Sequence, residues 1–346
     1  MLKSATTAFT ISLFTIVLHA QKPEVELLTS GAKTSLRGLS VVNDNVVWVS
    51  GSNGMVGRSA NGGKNWHWMT VPGFEKTDFR DIEAFDANTA LIMGVGSPAY
   101  ILKTSDAGET WRVVYENNNK EMFLDAMDFA NNQDGIVIGD PVNGKVFMAR
   151  TIDSGNTWEQ DSSLVPLSFI DTGEAFFAAS GSNIRLFENG SYLLVSGGLR
   201  SRIFTNKNVY PLPLLQGKES TGANSIDVFD NGLPKKPGRH IAIAGGDFAK
   251  DTMRTQTFIY SRNRGKTWRR PKVPPQGYRS CVEYLAKKLL LTCGTSGVDY
   301  SSNSGKSWQP VSKEGFHVCR IAKIGSAVFL AGSGGRVAKL VWNRNN

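Results

Sequence analysis

An eight-residue pattern, Ser/Thr-x-Asp/Asn-x-Gly-x-Thr/Ser/Asn-Trp, occurs five times in this chain: "SANGGKNW" (59–66), "TSDAGETW" (104–111), "TIDSGNTW" (151–158), "SRNRGKTW" (261–268) and "SSNSGKSW" (301–308). Its third residue (Asn61, Asp106, Asp153, Asn263, Asn303) has a side chain that folds back onto the amides of a tight turn. The fifth (Gly63, Gly108, Gly155, Gly265, Gly305) supplies a positive φ. The tryptophan that closes each copy (Trp66, Trp111, Trp158, Trp268, Trp308) opens a return strand and offers a large apolar body to a neighbouring unit. The pattern therefore reads as a hairpin tip, and a chain with five alike hairpins is built from alike units.

Successive tryptophans lie 45, 47, 110 and 40 residues apart, so the long gap spans two units, one of which has lost its motif. A period of roughly 40 to 50 residues filled with short β-prone runs is the signature of propeller blades. The second unit supplies four such runs, "FRDIEAF", "TALIMGV", "YILKTS" and "WRVVYE". The same template places blades at 35–73, 78–117, 122–163, 174–217, 224–274 and 278–313, with "TNKN" replacing the motif in the fourth. Three strands remain at the C-terminus, in "FHVCRIA", "SAVFLAG" and "RVAKLVW". "EVELLTS" (24–30) offers the fourth, which closes a ring of seven and hides both free edges. The expectation is an all-β, seven-bladed propeller, with six blades as the alternative, occupying 21–346 as one domain.

Residues 1–20, "MLKSATTAFTISLFTIVLHA", have an early lysine, an apolar run and a small residue at the end, as a signal peptide does. The mature chain is then expected to start at Gln21 and to be exported, periplasmic or extracellular, monomeric and without a membrane-spanning segment. Loss of Lys3 takes the formal charge from +9 to +8, which favours acidic partners. The positive charge looks scattered along the chain, and export separates the protein from nucleic acid, so none is expected as a partner. Cys281, Cys293 and Cys319 form no metal motif, and neither a metal nor a cofactor is expected. A disulfide between Cys281 and Cys293 and a set of buried free thiols both stay open.

With these residues in view, the chain resembles the Asp-box, or BNR-repeat, propellers of the sialidase-like and WD40/YVTN-like superfamily. Within them it is most similar to the photosystem II stability/assembly factor-like group, through "SLRGLSVV", "GVGSPAYILKTSDAGETW", "GDPVNGKVFMARTIDSGNTW", "GEAFFAASGSNIRLFENG" and "AIAGGDFAKD". The resemblance implies a non-enzymatic scaffold that holds a protein or membrane-protein partner through an arginine-bearing face.

Arg37, Arg80 and Arg279 lie near the starts of the first strands of blades 1, 2 and 6, and Arg320 lies in that of blade 7. First strands line a propeller's channel, so these four are the expected contact residues, able to fork onto a carboxylate or phosphate. The bland alternative pairs each with an acid among Asp81, Glu83, Asp125, Asp128, Glu174 and Glu283. Arg185, Arg200, Arg202, Lys235, Lys236 and Arg239 read as solvated loop charges. A sialidase-like hydrolase is the rival reading, using arginines with Tyr278 or Tyr284, Glu174 or Glu283, and Asp81 or Asp125. "GVGSPA" (94–99) mimics a dinucleotide-binding loop, but a strand follows it where a helix is needed, which speaks against an oxidoreductase. His317 is expected to be packed or hydrogen-bonded at the start of the last inner strand.

Overall fold

The apolar runs punctuated by Gly, Asn and Asp become short antiparallel strands, as β-branched and aromatic residues favour. A computed structural model of the chain describes residues 22–160, 170–230 and 237–342. The signal-peptide reading of 1–20, and Lys235 and Lys236, fall outside them. The first strand, β1 (Pro23–Thr29), belongs to the last blade. Blade 1 holds β2 (Leu36–Val41), β3 (Val47–Gly51), β4 (Met55–Ser59) and β5 (His67–Thr70). Blade 2 holds β6 (Phe79–Ala84), β7 (Ala90–Gly94), β8 (Ala99–Thr104) and β9 (Arg112–Asn117), and blade 3 holds β10 (Leu124–Phe129), β11 (Gly135–Val142), β12 (Lys145–Thr151) and β13 (Glu159–Gln160). The sheet of blade 4 is β15 (Ile184–Leu186), β16 (Tyr192–Val195), β18 (Arg202–Thr205) and β19 (Val209–Pro211), with the short strands β14 (Glu174–Ala175) ahead of it and β17 (Gly197–Gly198) between β16 and β18.

Blade 5 is less regular. Its strands β20 (Thr221–Phe229), β21 (His240–Asp247) and β22 (Phe258–Ser261) are joined on the inner side by β17 and β14, and its outer strand shrinks to a single Tyr260–Arg269 bridge. Blade 6 is β23 (Cys281–Ala286), β24 (Leu289–Gly294), β25 (Gly297–Ser301) and β26 (Gln309–Ser312). Blade 7 runs β27 (Val318–Ile321), β28 (Val328–Ala331), β29 (Val337–Trp342) and then β1, with Val25 opposite Leu340. The protein is a seven-bladed, all-β propeller. No helix among the described residues is long and apolar enough to cross a membrane.

Packing follows from this layout. Second strands such as β3 and β7 are buried throughout, whereas no residue of the outer strands β5 and β9 is fully buried. The core fills the gaps between blades; one cluster joins Trp48 and Val56 of blade 1 to Ile82, Ile92 and Leu102 of blade 2. "GVGSPA" joins the antiparallel pair β7 and β8, so no helix amides gather there and the dinucleotide reading fails on geometry.

In each repeated turn the first residue's hydroxyl accepts the amide of the glycine four positions on, at 2.9–3.0 Å. The third residue's side chain accepts the amide four positions on from itself, at 2.9–3.0 Å. The structure adds one feature: the fourth residue also takes the left-handed region, as Ala107 (φ 65) and Gly108 (φ 94) show in blade 2. Antiparallel alternation sets these turns, and the turns after the inner strands, at the end of the ring opposite the inner-strand starts. The two ends are called the turn face and the start face below.

Candidate functional site

Four inner strands carry one extra residue near their start. The register of β2, β6, β10 and β20 slips across Leu36/Gly38, Phe79/Asp81, Leu124/Ala126 and Ala223/Ser225, leaving Arg37, Arg80, Asp125 and Asn224 as the bulged residues. A bulge re-aims the side chain it inserts. Here the result is convergence: Arg37, Arg80 and Asn224 line a pocket of about 420 Å³ at the start face, with Phe123, Phe177, Phe248, Tyr278 and His317.

The pocket has a cationic side and an aromatic side. Arg80 Nε donates to Asp78 Oδ2 at 2.8 Å, and its guanidinium lies 5.5 Å from the Phe123 ring centre. Arg37 has neither a carboxylate nor a hydrogen-bond partner among the described residues. Burial, and then the adjacent Arg80, hold its pKa below the usual guanidinium value, against the pull of Asp78. An unpaired, partly desolvated cation of this kind favours an incoming anion. Opposite it, Phe248 packs edge-on against Phe177 and Tyr278, with ring centres 5.7 and 6.3 Å away, and is itself 48% exposed.

Burial dominates the remaining polar groups. Burial, and then Arg37, Arg336 and Arg80, push His317 down to about 3; its Nε2 lies 2.8 Å from Ser333 Oγ and 3.1 Å from Ser35 Oγ. Tyr278 donates to Asn224 Oδ1 at 2.8 Å, and burial raises its pKa above the usual phenol value. Asp125 is wholly buried, and neither of its oxygens has a hydrogen bond of normal geometry, the Ala178 amide offering only a weak one. Burial first, and Asp140 second, raise its carboxyl well above the ordinary range, although Arg80 opposes them.

The segment Phe176–Asn183 forms the floor. Ser180 Oγ donates to Ser280 O of blade 6 at 2.7 Å, Ser180 O accepts Arg320 Nη2 of blade 7 at 2.8 Å, and Ser182 Oγ donates to Ser225 Oγ of blade 5 at 2.8 Å. A Cβ on Gly181 would stand 2.2 Å from the Asp81 carboxylate of blade 2. Contacts with blades 2, 5, 6 and 7 place this segment on the axis, where it plugs the channel. Below it, Arg185 donates to Asp227 at 3.1 Å and lies 3.6 Å from Asp128, and Arg320 lies 3.9 Å from Glu283. That network pairs Arg185 and Arg320 with its own acids.

The four arginines expected to form one face are therefore divided. Arg37 and Arg80 line the pocket. Arg279 is fully buried in the wall of blade 6, donating to Asp299 Oδ2 at 2.7 Å, and Arg320 lies below the plug, its Nη1 3.0 Å from Cys281 Sγ. Neither can reach a ligand that Arg37 holds. Arg185 and Arg202 are also not the loop charges expected: Arg185 is in the channel network, and Arg202 pairs with the buried Glu174. Arg200 and Arg239 are exposed, Arg200 lying 3.0 Å from Asp171. The hydrolase parts do not assemble either, because Tyr278 bonds Asn224 rather than a glutamate and Glu283 lies beyond the plug. All three cysteines are free and buried, with Cys281 and Cys293 as cross-strand partners.

Fold and site together define a seven-bladed propeller with a plugged channel and an arginine-lined, aromatic-walled pocket at one mouth. No protein-family model and no curated protein matches the chain. Among solved structures, it is similar to YCF48 bound to D1 peptide, with 16% identity over 94% of this chain and 97% of that one and a TM-score of 0.64. YCF48 from Cyanidioschyzon merolae is similar at 16% identity over 93% of this chain and 100% of that one, with a TM-score of 0.65. The GH74 xyloglucanase from Xanthomonas campestris is similar at 13% identity over 91% of this chain but 53% of that one, with a TM-score of 0.59. At such identities the likeness establishes the propeller fold alone.

Proposed function

We propose that this protein is an exported, non-enzymatic Asp-box propeller of the assembly-factor-like kind, whose start-face pocket grips an acidic segment of a protein or membrane-protein partner. The observation that carries the reading is Arg37, a mostly buried cation without a partner among the described residues, facing an aromatic wall. A carboxylate supplies the missing charge, and an adjacent apolar side chain covers Phe177 and Phe248. The likeness to a propeller described as bound to a peptide agrees with this. The glycosidase alternative draws on the xyloglucanase likeness, but Asp125 is sealed from solvent and Asp140 is engaged by the Phe176 amide at 3.0 Å.

The test is fluorescence anisotropy with peptides that carry Asp or Glu beside a leucine or aromatic residue, each paired with its Asn or Gln counterpart. Neutralising the peptide, or changing Arg37→Gln in the folded protein, is expected to weaken binding about tenfold or more, the range for a charge-assisted hydrogen bond. Equal binding of acidic and amide peptides overturns the reading.

A further inference from the structure

The opposite end of the ring carries a second feature. Between Thr252 and Val282 the sequence holds no Asp or Glu, yet it contains Arg254, Arg262, Arg264, Lys266, Arg269, Arg270, Lys272 and Arg279. Three of these, Arg262, Arg264 and Lys266, occupy the second, fourth and sixth places of blade 5's repeated turn. The structure brings further cations beside them. Arg264 N donates to Arg239 O at 3.3 Å across blade 5, while in blade 6 Ser304 N donates to Lys288 O at 2.9 Å, one turn from Lys306. His240, the first residue of β21, has its pKa lowered by burial and then by Lys287, Arg239 and Arg262, against the pull of Asp230, so these three cations and one acid share one locality. No carboxylate pairs with Arg239, Arg262, Lys266, Lys287, Lys288 or Lys306 among the described residues. Charge that looks scattered in the sequence is gathered on the turn face of two blades.

The shape of this region follows from the repeat. Blades 5 and 6 make their tips with the same hydrogen bonds, so Arg264–Lys266 and Ser304–Lys306 stand at one height, flanked by the inner turns that bear Arg239 and Lys287. Blade 7 adds Ile324 on the same face, 75% exposed. Level turn tips form a plane, and a plane rich in Lys and Arg beside one bare isoleucine matches an anionic bilayer surface, where each basic residue adds to attraction and an apolar side chain can enter the headgroup layer. We propose that the turn face of blades 5 and 6 docks on membranes containing anionic lipid, which leaves the start-face pocket open on the far side of the ring.

The experiment is vesicle co-sedimentation of the purified protein, using phosphatidylcholine with and without phosphatidylglycerol, at low and high salt. Wild type is expected to sediment with phosphatidylglycerol vesicles at low salt only. A variant with Arg262→Gln, Lys266→Gln, Lys287→Gln and Lys288→Gln is expected to lose at least about tenfold in partitioning. A control that removes the same charge from the start end of the ring, Lys33→Gln, Lys76→Gln, Lys218→Gln and Lys313→Gln, is expected to stay within about twofold of wild type. Seven of the eight changes fall on exposed side chains and Arg262 is half-buried, 5.5 Å from the Tyr260 ring centre, so folding of both variants is checked by an unchanged melting temperature. Failure of wild type to prefer phosphatidylglycerol, or equal losses in the two variants, overturns the proposal. Binding of duplex DNA or polyglutamate through the same four residues, without vesicle binding, also overturns it and assigns the face to a soluble polyanion.

Discussion

Thr104–Trp111 in blade 2 and Ser261–Trp268 in blade 5 make the same internal hydrogen bonds, Thr104 Oγ1 and Ser261 Oγ accepting the glycine amides at 3.0 and 2.9 Å, and Asp106 and Asn263 accepting the Thr110 and Thr267 amides at 2.9 and 3.0 Å. Their charges are opposite. Blade 2 presents Asp106 and Glu109, and blade 5 presents Arg262, Arg264 and Lys266. Positions one, three, five and eight are dictated by the turn and four is held in the left-handed region, yet Arg262, Arg264 and Lys266 show that two, four and six accept charged side chains. The surroundings differ as well. Gly108 abuts Met69 and Trp48 of blade 1, whereas the atoms nearest Gly265 are Trp268 and Ile241 of its own blade. Blade 2's turn is locked to its neighbour; blade 5's turn sits beside an outer strand reduced to one bridge.

The largest expected effect tests that locking. A Cβ on Gly108, at φ +94, would stand 2.4 Å from Met69 Sδ and 3.5 Å from Trp48, so Gly108→Ala combines left-handed strain with repacking between blades. About 2–4 kcal/mol of destabilisation is expected. At Gly265, φ +74, the nearest atom is 3.3 Å away on Trp268, and Gly265→Ala is expected to cost about 1–2 kcal/mol. Urea midpoints of the two variants measure the difference. Equal costs would show that the turns are gripped alike and would break the comparison.

A smaller effect tests what the turns share. The Thr104 and Ser261 hydroxyls are buried, and each accepts a glycine amide while donating to the third residue at 2.8 and 2.9 Å. Thr104→Val and Ser261→Ala should each cost about 1–2 kcal/mol, the penalty for a buried donor left unsatisfied. If blade 5's turn loses far less, its hydrogen bonds are not the determinant they are in blade 2.

These features were unequally legible in the sequence. The turn chemistry of Asp106 and Gly108, the strand runs and the closing strand could be read because each is local or periodic. Arg37 and Arg80 could be placed on inner strands for the same reason. Arg279 and Arg320 could not be phased: β2, β6, β10 and β20 each insert one residue near their start, whereas β23 and β27 do so at neither Arg279 nor Arg320. A one-residue slip moves a side chain from the pocket into the wall. It is Tyr278 and His317, therefore, that join Arg37 at the pocket. The plug was also hidden, since "GEAFFAASGSNIRLF" reads as the approach to blade 4 and only long-range contacts carry it across the axis. The basic patch was missed because its charges come from four turns that are separate in sequence.

The smallest effect separates the acidic turns from the neutral ones by pH. Hydrogen bonds from the Thr110 side chain and amide, and then from Thr104, hold Asp106 below the usual carboxylate range. Slight burial acts the other way at Asp153, but it is outweighed by Thr157, Thr151 and Asn156, which bring that group down to about 2. A depressed folded-state pKa stabilises above the unfolded value, near 4, and the contribution is lost as pH falls through the folded value. Blade 5 has Asn263 in this place and loses nothing. The channel acids titrate in the opposite sense, burial raising Asp81 to about 7 and Asp128 to about 6, so the cost of burying their charge fades as pH falls. Comparing wild type with Asp106→Asn plus Asp153→Asn cancels those terms, because both proteins keep them. Wild-type melting temperature should therefore fall more steeply than the double variant's between pH 4 and pH 2, with parallel curves above pH 5. Parallel curves over the whole range would mean that aspartate and asparagine serve this turn equally well, leaving the outward charges and the packing around the turn to distinguish blade 2 from blade 5.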